Sequence, residues 1–310
     1  MRTRNIGSLE VTVVGVGSNN FGRQLSAAST RQVIHAALDE GVNFFDTADT
    51  YGNPATTSET LIGEILRPHR DEVIIATKFG RFLDEEHHGA KPAYVRSATE
   101  ASLRRLQTDY IDLMQLHIPD PDTPIADTLG ALAELVAEGK IREIGTSNFD
   151  VQQLREASEA ALQKGTPHFV STQAKCSMLD RHEAAGILSE CEDTGMRLLP
   201  FQPLYNGLLT GRYRPGEPVP SGSRIGTKSK EAQASIMSSA NMAIVAALIE
   251  YAEAAGHTML ELAIGWLLAQ PAVASVIAGV SSPAQIASNV AATGWELTKL
   301  EMNDVEKLLG

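Results

Sequence analysis

Cysteine is scarce in this chain. Only two of the 310 residues, Cys176 and Cys191, are cysteines. They make no disulfide framework and have no metal-ligand spacing, so the expectation is two reduced thiols in a cytoplasmic protein, and no metal. Long apolar runs are lacking as well: none is long enough to span a bilayer, and the stretch MRTRNIGSLEV is too polar for a signal peptide. Basic residues are outnumbered, 26 Lys and Arg against 38 Asp and Glu, for a net charge of −12. That balance excludes sequence-independent nucleic-acid binding, which needs a basic face. After Gly15-x-Gly17 the third glycine of a dinucleotide-binding turn is missing, and so is the acidic residue that should follow. What remains is ordinary globular composition, 43% hydrophobic and 21% charged. The length allows one large core or two small ones.

What the chain does have is a repeat of short apolar strands and amphipathic helices. Thr3 to Val13 predicts a small hairpin about the turn at Gly7-Ser8, placed to cap the bottom of a barrel. Eight buried strands are predicted at Val11–Gly17, Asn43–Phe45, Val73–Thr77, Tyr110–Leu116, Ile141–Gly145, Phe169–Thr172, Arg197–Pro200 and Val273–Ile277. Helices fall between them. The first is expected to be capped by Ser29-Thr30, another by Asp150, and a late one by Ser282 with Pro283 at its first position. Leu204 to Ser239 breaks the rhythm: it is rich in Gly, Pro and Ser, has no clear period, and reads as a loop that is either functional or disordered. Near-continuous apolar strands are parallel and covered on both faces. The pattern predicts one α/β domain over residues 1–310. It is a single (β/α)8 TIM barrel with an N-terminal β-hairpin, a long loop after strand 7 and a C-terminal helix. An open doubly wound sheet is the other arrangement such alternation can take, and the missing glycine fingerprint argues against it.

Three successive strands end on polar residues. GVNFFDTADTYG runs from a buried strand into Asp46, Asp49 and Tyr51, the next strand ends on Lys78 and the one after on His117. The carboxyl ends of barrel strands are where such folds keep their chemistry. A free phenol has a pKa near 10, and lowering it by three units needs roughly 4 kcal/mol. One cation at about 4 Å supplies on the order of 4 kcal/mol at an effective dielectric near 20. Lys78 beside Tyr51 therefore suffices, with Asp46 as the counter-ion that keeps Lys78 charged. His117 can aim a carbonyl through a ring nitrogen, which makes the set acid/base machinery for reducing a carbonyl. Singly, each residue has a plainer reading as a structural ion pair, a rim histidine or a packing tyrosine; their joint order and spacing tell against it. His87-His88, taken to have no carboxylate nearby, reads as a solvated loop rather than a metal site.

The four residues resemble the catalytic tetrad of the aldo-keto reductases, and the resemblance covers essentially the whole chain. Its marks are Asp46-Thr47-Ala48-Asp49-Thr50-Tyr51-Gly52, Leu113-Met114-Gln115-Leu116-His117, and Lys140 to Phe149. The pattern is nearest the potassium-channel β-subunit-like and bacterial general branch. The resemblance implies that Ser147, Asn148 and Gln173 hold a nicotinamide carboxamide. Phe201, where Tyr or Trp is usual, would stack on the ring, in a segment with Gln202, Pro203 and Leu204; Gln202 replaces a usual Ser. Gly207, Thr210, Gly211 and Arg212 would touch the diphosphate, and Arg224 the adenine side. Gly279, Ser281, Ser282, Gln285 and Asn289 match the adenosine-phosphate pocket, where a phosphate meets a helix N-terminus and no acidic side chain. The long loop would then close over the cofactor. The cofactor implied is NADP(H), with NAD(H) left open because no Arg or Lys lies within Gly279–Asn289. A substrate pocket is expected at Asn20, Phe21, Phe82 and Ile118, and Asn19 with Asn20 would suit a hydroxylated carbonyl such as a sugar.

Hydride transfer to an aldehyde or ketone, with Tyr51 as proton donor, is the activity expected; the partner is a small-molecule carbonyl compound, with no nucleic acid and no membrane, and the oligomeric state is left open. A reductase-like, NADP(H)-binding redox sensor with little turnover is the second reading. A Schiff-base aldolase using Lys78 is the third; it needs an unpaired, desolvated lysine, which Asp46 argues against.

Overall fold

The computed structural model describes residues 1–214 and 216–310. Strands β1 (Thr3–Ile6) and β2 (Leu9–Thr12) pair antiparallel as a hairpin. The turn between them uses Gly7 at φ +54°, with the Glu143 carboxylate packed where a side chain would begin. Eight parallel strands follow: β3 (Val14–Gly17), β4 (Phe44–Asp46), β5 (Ile74–Phe79), β6 (Ile111–Leu116), β7 (Ile141–Ser147), β8 (Ser171–Lys175), β9 (Arg197–Phe201) and β10 (Val276–Gly279). They pair in chain order from β3 to β9, and β10 pairs with β3. The ring closes between β9 and the approach to β10 by a single bridge, Leu198 with Val273. The Leu198 N–H donates to Ala272 O at 2.9 Å and the Ala274 N–H to Leu198 O at 3.1 Å. This is the (β/α)8 barrel that the alternation predicts.

Helices α1 (Ala27–Asp39), α2 (Thr57–Leu66), α3 (Pro92–Leu106), α4 (Ile125–Ala137), α5 (Val151–Lys164) and α6 (Arg181–Thr194) follow β3 to β8 in turn. Between β9 and β10 lie α7 (Lys230–Ile236), α8 (Ser239–Ala254) and α9 (Met259–Ala269); α10 (Pro283–Ala291) and α11 (Lys299–Leu309) complete the chain. The Asp150 cap is present as a full capping box with Gln153. The first helix starts earlier than expected: Ser26, not Ser29-Thr30, is the N-cap, and its side chain accepts from the Ser29 N–H. The segment read as loop from Leu204 holds a 3-10 turn, Tyr205–Thr210, and the helix α7, so it is more ordered than its composition suggests. No single helix among the described residues is long and apolar enough to cross a membrane.

Two apolar clusters organise the interior. The larger lies between the strands and the helices. The smaller joins Phe44, Ala76, Leu113, Leu199, Ala274 and Ile277 of the barrel to Ile6, Leu9 and Val11 of the hairpin, which closes the bottom. Side chains alternate along a strand, so the residues two places on from this apolar layer face the same way. Those residues are Asp46 after Phe44, Lys78 after Ala76, Gln115 and His117 after Leu113, and Phe201 after Leu199. The barrel interior is thus apolar below and polar above.

Candidate active site

That polar upper layer gathers Asp46, Lys78 and His117, exposed by only 3%, 1% and 5%. Lys78 Nζ donates to Asp46 Oδ1 at 2.8 Å, to Oδ2 at 2.7 Å and to the Thr47 carbonyl at 2.7 Å. Its three donors are spent, so it reaches Tyr51 by charge, from 5.1 Å off the ring centroid. Burial alone would lower Lys78, but Asp46 and then Tyr51 outweigh it and hold the ammonium above its ordinary value. A lysine committed in this way is not the unpaired amine that Schiff-base chemistry needs. Tyr51 is half-buried and stands edge-on to His117, ring centroids 5.9 Å apart at 79°.

The expected depression of the Tyr51 phenol is not the net result. Protein crowds the ring, and burial raises its pKa above 10, against the lowering by Lys78. Burial is the largest cause, and Asp46, bonded to Lys78 at contact distance, adds to the rise. Burial, then the charges of Lys78 and Arg81, push His117 down to about 2, so its ring is neutral. Its Nδ1 is buried without a partner.

The next strands bring the candidate cofactor groups alongside. Ser147 ends β7 in register with Gln173 of β8, and Phe201 ends β9 in register with Lys175. The Asn148 amide donates to the His117 carbonyl at 2.9 Å and the Ser147 hydroxyl at 3.0 Å. Gln173 Nε2 donates to Asp46 Oδ1 at 2.5 Å. Beyond β9 the backbone is left-handed at Gln202, Tyr205, Asn206 and Gly207 (φ 53°, 44°, 59° and 95°), which sharply folds the chain that carries Pro203, Leu204, Thr210, Gly211 and Arg212. Exposed Arg224 returns to β10, its Nη1 3.8 Å from where a side chain on Gly279 would begin. At the start of α10, Gln285 Oε1 accepts from the Ser281 N–H at 2.7 Å and hydroxyl at 3.1 Å; Ser282 makes no side-chain cap bond, and Asn289 is buried.

The sequence profile of the aldo/keto reductase family matches residues 13–309. The chain belongs to this family. L-glyceraldehyde 3-phosphate reductase of Escherichia coli (strain K12) is 31% identical over 284 residues, covering 88% of this chain and 81% of its own. A probable voltage-gated potassium channel subunit beta of Arabidopsis thaliana is 31% identical over 321 residues, 100% of this chain and 97% of its own. Protein tas of E. coli (strain K12) is 31% identical over 329 residues, 96% and 94%. The family and its relatives named as reductases make this an oxidoreductase of the carbonyl-reducing kind.

Not every expected pocket residue faces a pocket. Phe21 is fully buried in the larger core cluster, where it packs rather than lines a site. Asn20 is buried and its amide donates to the Val280 carbonyl at 3.3 Å, so it is committed to the fold; Asn19 is exposed. Phe82 is 62% exposed and Ile118 partly buried, both free to meet a ligand. His87 does have a carboxylate beside it: Asp84 lies 2.7 Å from its Nδ1, in an exposed pair.

Four residues around the site have no role assigned by the sequence. Gln115 donates to Asp46 at 3.3 Å. The exposed Arg81 adds positive charge at both Tyr51 and His117. Glu59 and Asp49 are buried carboxylates on the outer side of β5. Parity along the strand finds Gln115, two places before His117; Asp49 stands in the stretch from Asp46 to Gly52 without a role, and nothing in the sequence marks Arg81 or Glu59.

Proposed function

We propose that this protein is an NADP(H)-dependent reductase of aldehydes or ketones, with Asp46, Tyr51, Lys78 and His117 as its catalytic set. One observation carries the reading. A phenol stands edge-on to a neutral imidazole, beside a lysine held charged by a carboxylate, at the carboxyl end of the strands. The residues fit a nicotinamide: Ser147, Asn148, Gln173 and Phe201 share one rim, and Arg224 closes on glycine-lined β10. When bound, the reduced nicotinamide supplies hydride to the carbonyl carbon. Tyr51 gives its proton to the carbonyl oxygen, and Lys78 steadies the phenolate left behind. His117, uncharged, donates a ring N–H to the same oxygen and does not compete as an acid. Asp46, Gln115 and Gln173 keep Lys78 aimed and charged.

The positive charge of Arg81 near the tetrad favours a carbonyl compound that also carries a negative group. A relative named as a reductase of L-glyceraldehyde 3-phosphate agrees with that preference. The test is turnover of aldehydes, ketones and sugars, neutral and phosphorylated, followed by the absorbance of NADPH and of NADH. Absence of turnover with every carbonyl, alongside tight NADP(H) binding, would instead support the redox-sensing reading. That alternative is favoured by full-length similarity to a protein named as a channel β-subunit.

A further inference from the structure

Asp49 has no part in the proposed chemistry, yet it is one of the least comfortable groups in the molecule. It is 1% exposed, and both of its carboxylate oxygens are buried without a hydrogen-bond partner. It lies two residues before Tyr51, in the turn that leaves β4. That turn is laid along β5 by backbone bonds: Thr47 N–H to Ala76 O at 2.8 Å and Asp49 N–H to Lys78 O at 3.1 Å. Tyr51 in turn donates its N–H to Ala48 O at 3.1 Å. Asp49 therefore sits between Asp46 and Tyr51 along the chain, its backbone bonded to that of Lys78 and its side chain on the outer side of the sheet.

The groups around it offer an anion little. Glu59 of α2 is the nearest like charge. It has already taken Arg105 of α3, whose Nε donates to Glu59 Oε2 at 2.6 Å, and Thr77, whose hydroxyl donates to Oε1 at 2.5 Å. Lys78 of β5 faces the barrel interior and is spent on Asp46 and Thr47. Tyr94 of α3 is an uncharged phenol, held above its ordinary value chiefly by burial. The Thr50 N–H favours the charged form but makes no hydrogen bond to it that meets normal geometry. An isolated carboxylate in such a place neutralises rather than remain charged.

We propose that Asp49 is a positioning residue for Tyr51: a carboxylic acid kept uncharged by its enclosure, whose ionisation dislodges the turn that holds the phenol beside Lys78. The proposal rests on Tyr51 being the proton donor. Burial, then the charge of Glu59, hold Asp49 up to about 8 against the lowering by Arg105, Thr50 and Lys78. The phenol is held above 10, so it titrates later.

In the unfolded chain Asp49 ionises near 3.8, whereas the folded chain keeps its proton to about 8. Its contribution to stability is full below the lower value, is lost as pH rises between the two, and is constant above. The experiment is Asp49→Asn, which keeps the shape and cannot ionise. Two readings are taken across pH 4 to 10. The first is thermal midpoint without cofactor. The midpoint of Asp49→Asn minus that of wild type should rise with pH and level off above about 8. The second is kcat for carbonyl reduction. In wild type it should fall about tenfold from pH 7 to pH 9, as one group titrating near 8 requires, and the fall should be absent in Asp49→Asn. If the variant does not fold, infrared difference spectra of wild type with 13C-labelled aspartate replace it. A protonated aspartic acid should be present at pH 7 and gone by pH 10. A flat midpoint difference, an alkaline fall shared by both proteins, or no protonated aspartate at pH 7 overturns the proposal. The midpoint and infrared readings need no turnover, so they stand or fall apart from the reductase reading.

Discussion

On the β4–β6 side of the barrel mouth the polar groups are already joined to one another, whereas on the β9–β10 side they stand open. Asp46 accepts from Lys78, Gln115 and Gln173, and the lysine has no donor left. Arg224 and Arg212 are exposed, on chain that turns through a run of left-handed residues. The first side resembles a finished tool, preorganised because reorganising charges during reaction is costly. The second, in the proposed function, receives a large anion and releases it, and a rigid, fully bonded wall would hinder both. Substitutions on the first side should therefore cost rate and stability, and those on the second should cost affinity.

The widest separation is expected from Tyr51→Phe. Loss of the proton donor should cut kcat by about 10²–10⁴-fold, with NADP(H) affinity unchanged by fluorescence titration. A large residual rate would break the comparison at its strongest point. Lys78→Met comes next. It leaves Asp46 buried beside no cation, and chemical denaturation should register a loss of about 3–5 kcal/mol. The phenol should also titrate higher still, because Lys78 is the group that lowers it; ultraviolet titration measures this directly. Arg224→Ala tests the open side. A charge-assisted bond is worth about 1.5–3 kcal/mol, so NADPH should bind at least tenfold more weakly while NADH binds as before. Equal losses for both cofactors would place Arg224 elsewhere than on a 2′-phosphate. Ser281→Ala should have the smallest effect, about 0.5–1.5 kcal/mol on NADPH alone. Its hydroxyl is already bonded to Gln285, which a phosphate would have to displace.

The sequence was most legible where a strand ends. Apolar runs closing on Asp46, Lys78 and His117 located the barrel and the polar end of its interior, where the candidate site lies, because period-two alternation and burial act locally. It was least legible where a side chain's partner lies far along the chain. Glu59 reads as an ordinary first-turn carboxylate of a helix, yet it is fully buried against Arg105 and Thr77. Phe21 reads as a pocket wall after a strand and is core. The net direction of the Tyr51 shift is set first by how deeply the ring is buried and then by the charges of Lys78 and Asp46, which spacing does not reveal. Helix α7 was hidden by the Gly, Pro and Ser before it and the serines after it. The Asp84–His87 pair is the opposite case, legible in the sequence because the two are three residues apart.

The barrel ring is a ladder everywhere except between β9 and β10, where one bridge joins it, and the hairpin acts as a clasp over that gap. Arg4 of β1 donates to the carbonyls of Val273 and Leu268, while Arg197 of β9 donates to those of Asn5 at 3.1 Å and Pro271 at 2.8 Å. Two guanidinium groups thus tie together three pieces of chain that backbone pairing barely connects. Amide exchange at Leu198 and Ala274 should report how often this seam breathes. Cutting the hairpin away should quicken exchange there before it is felt at the β5–β6 ladder on the far side of the ring.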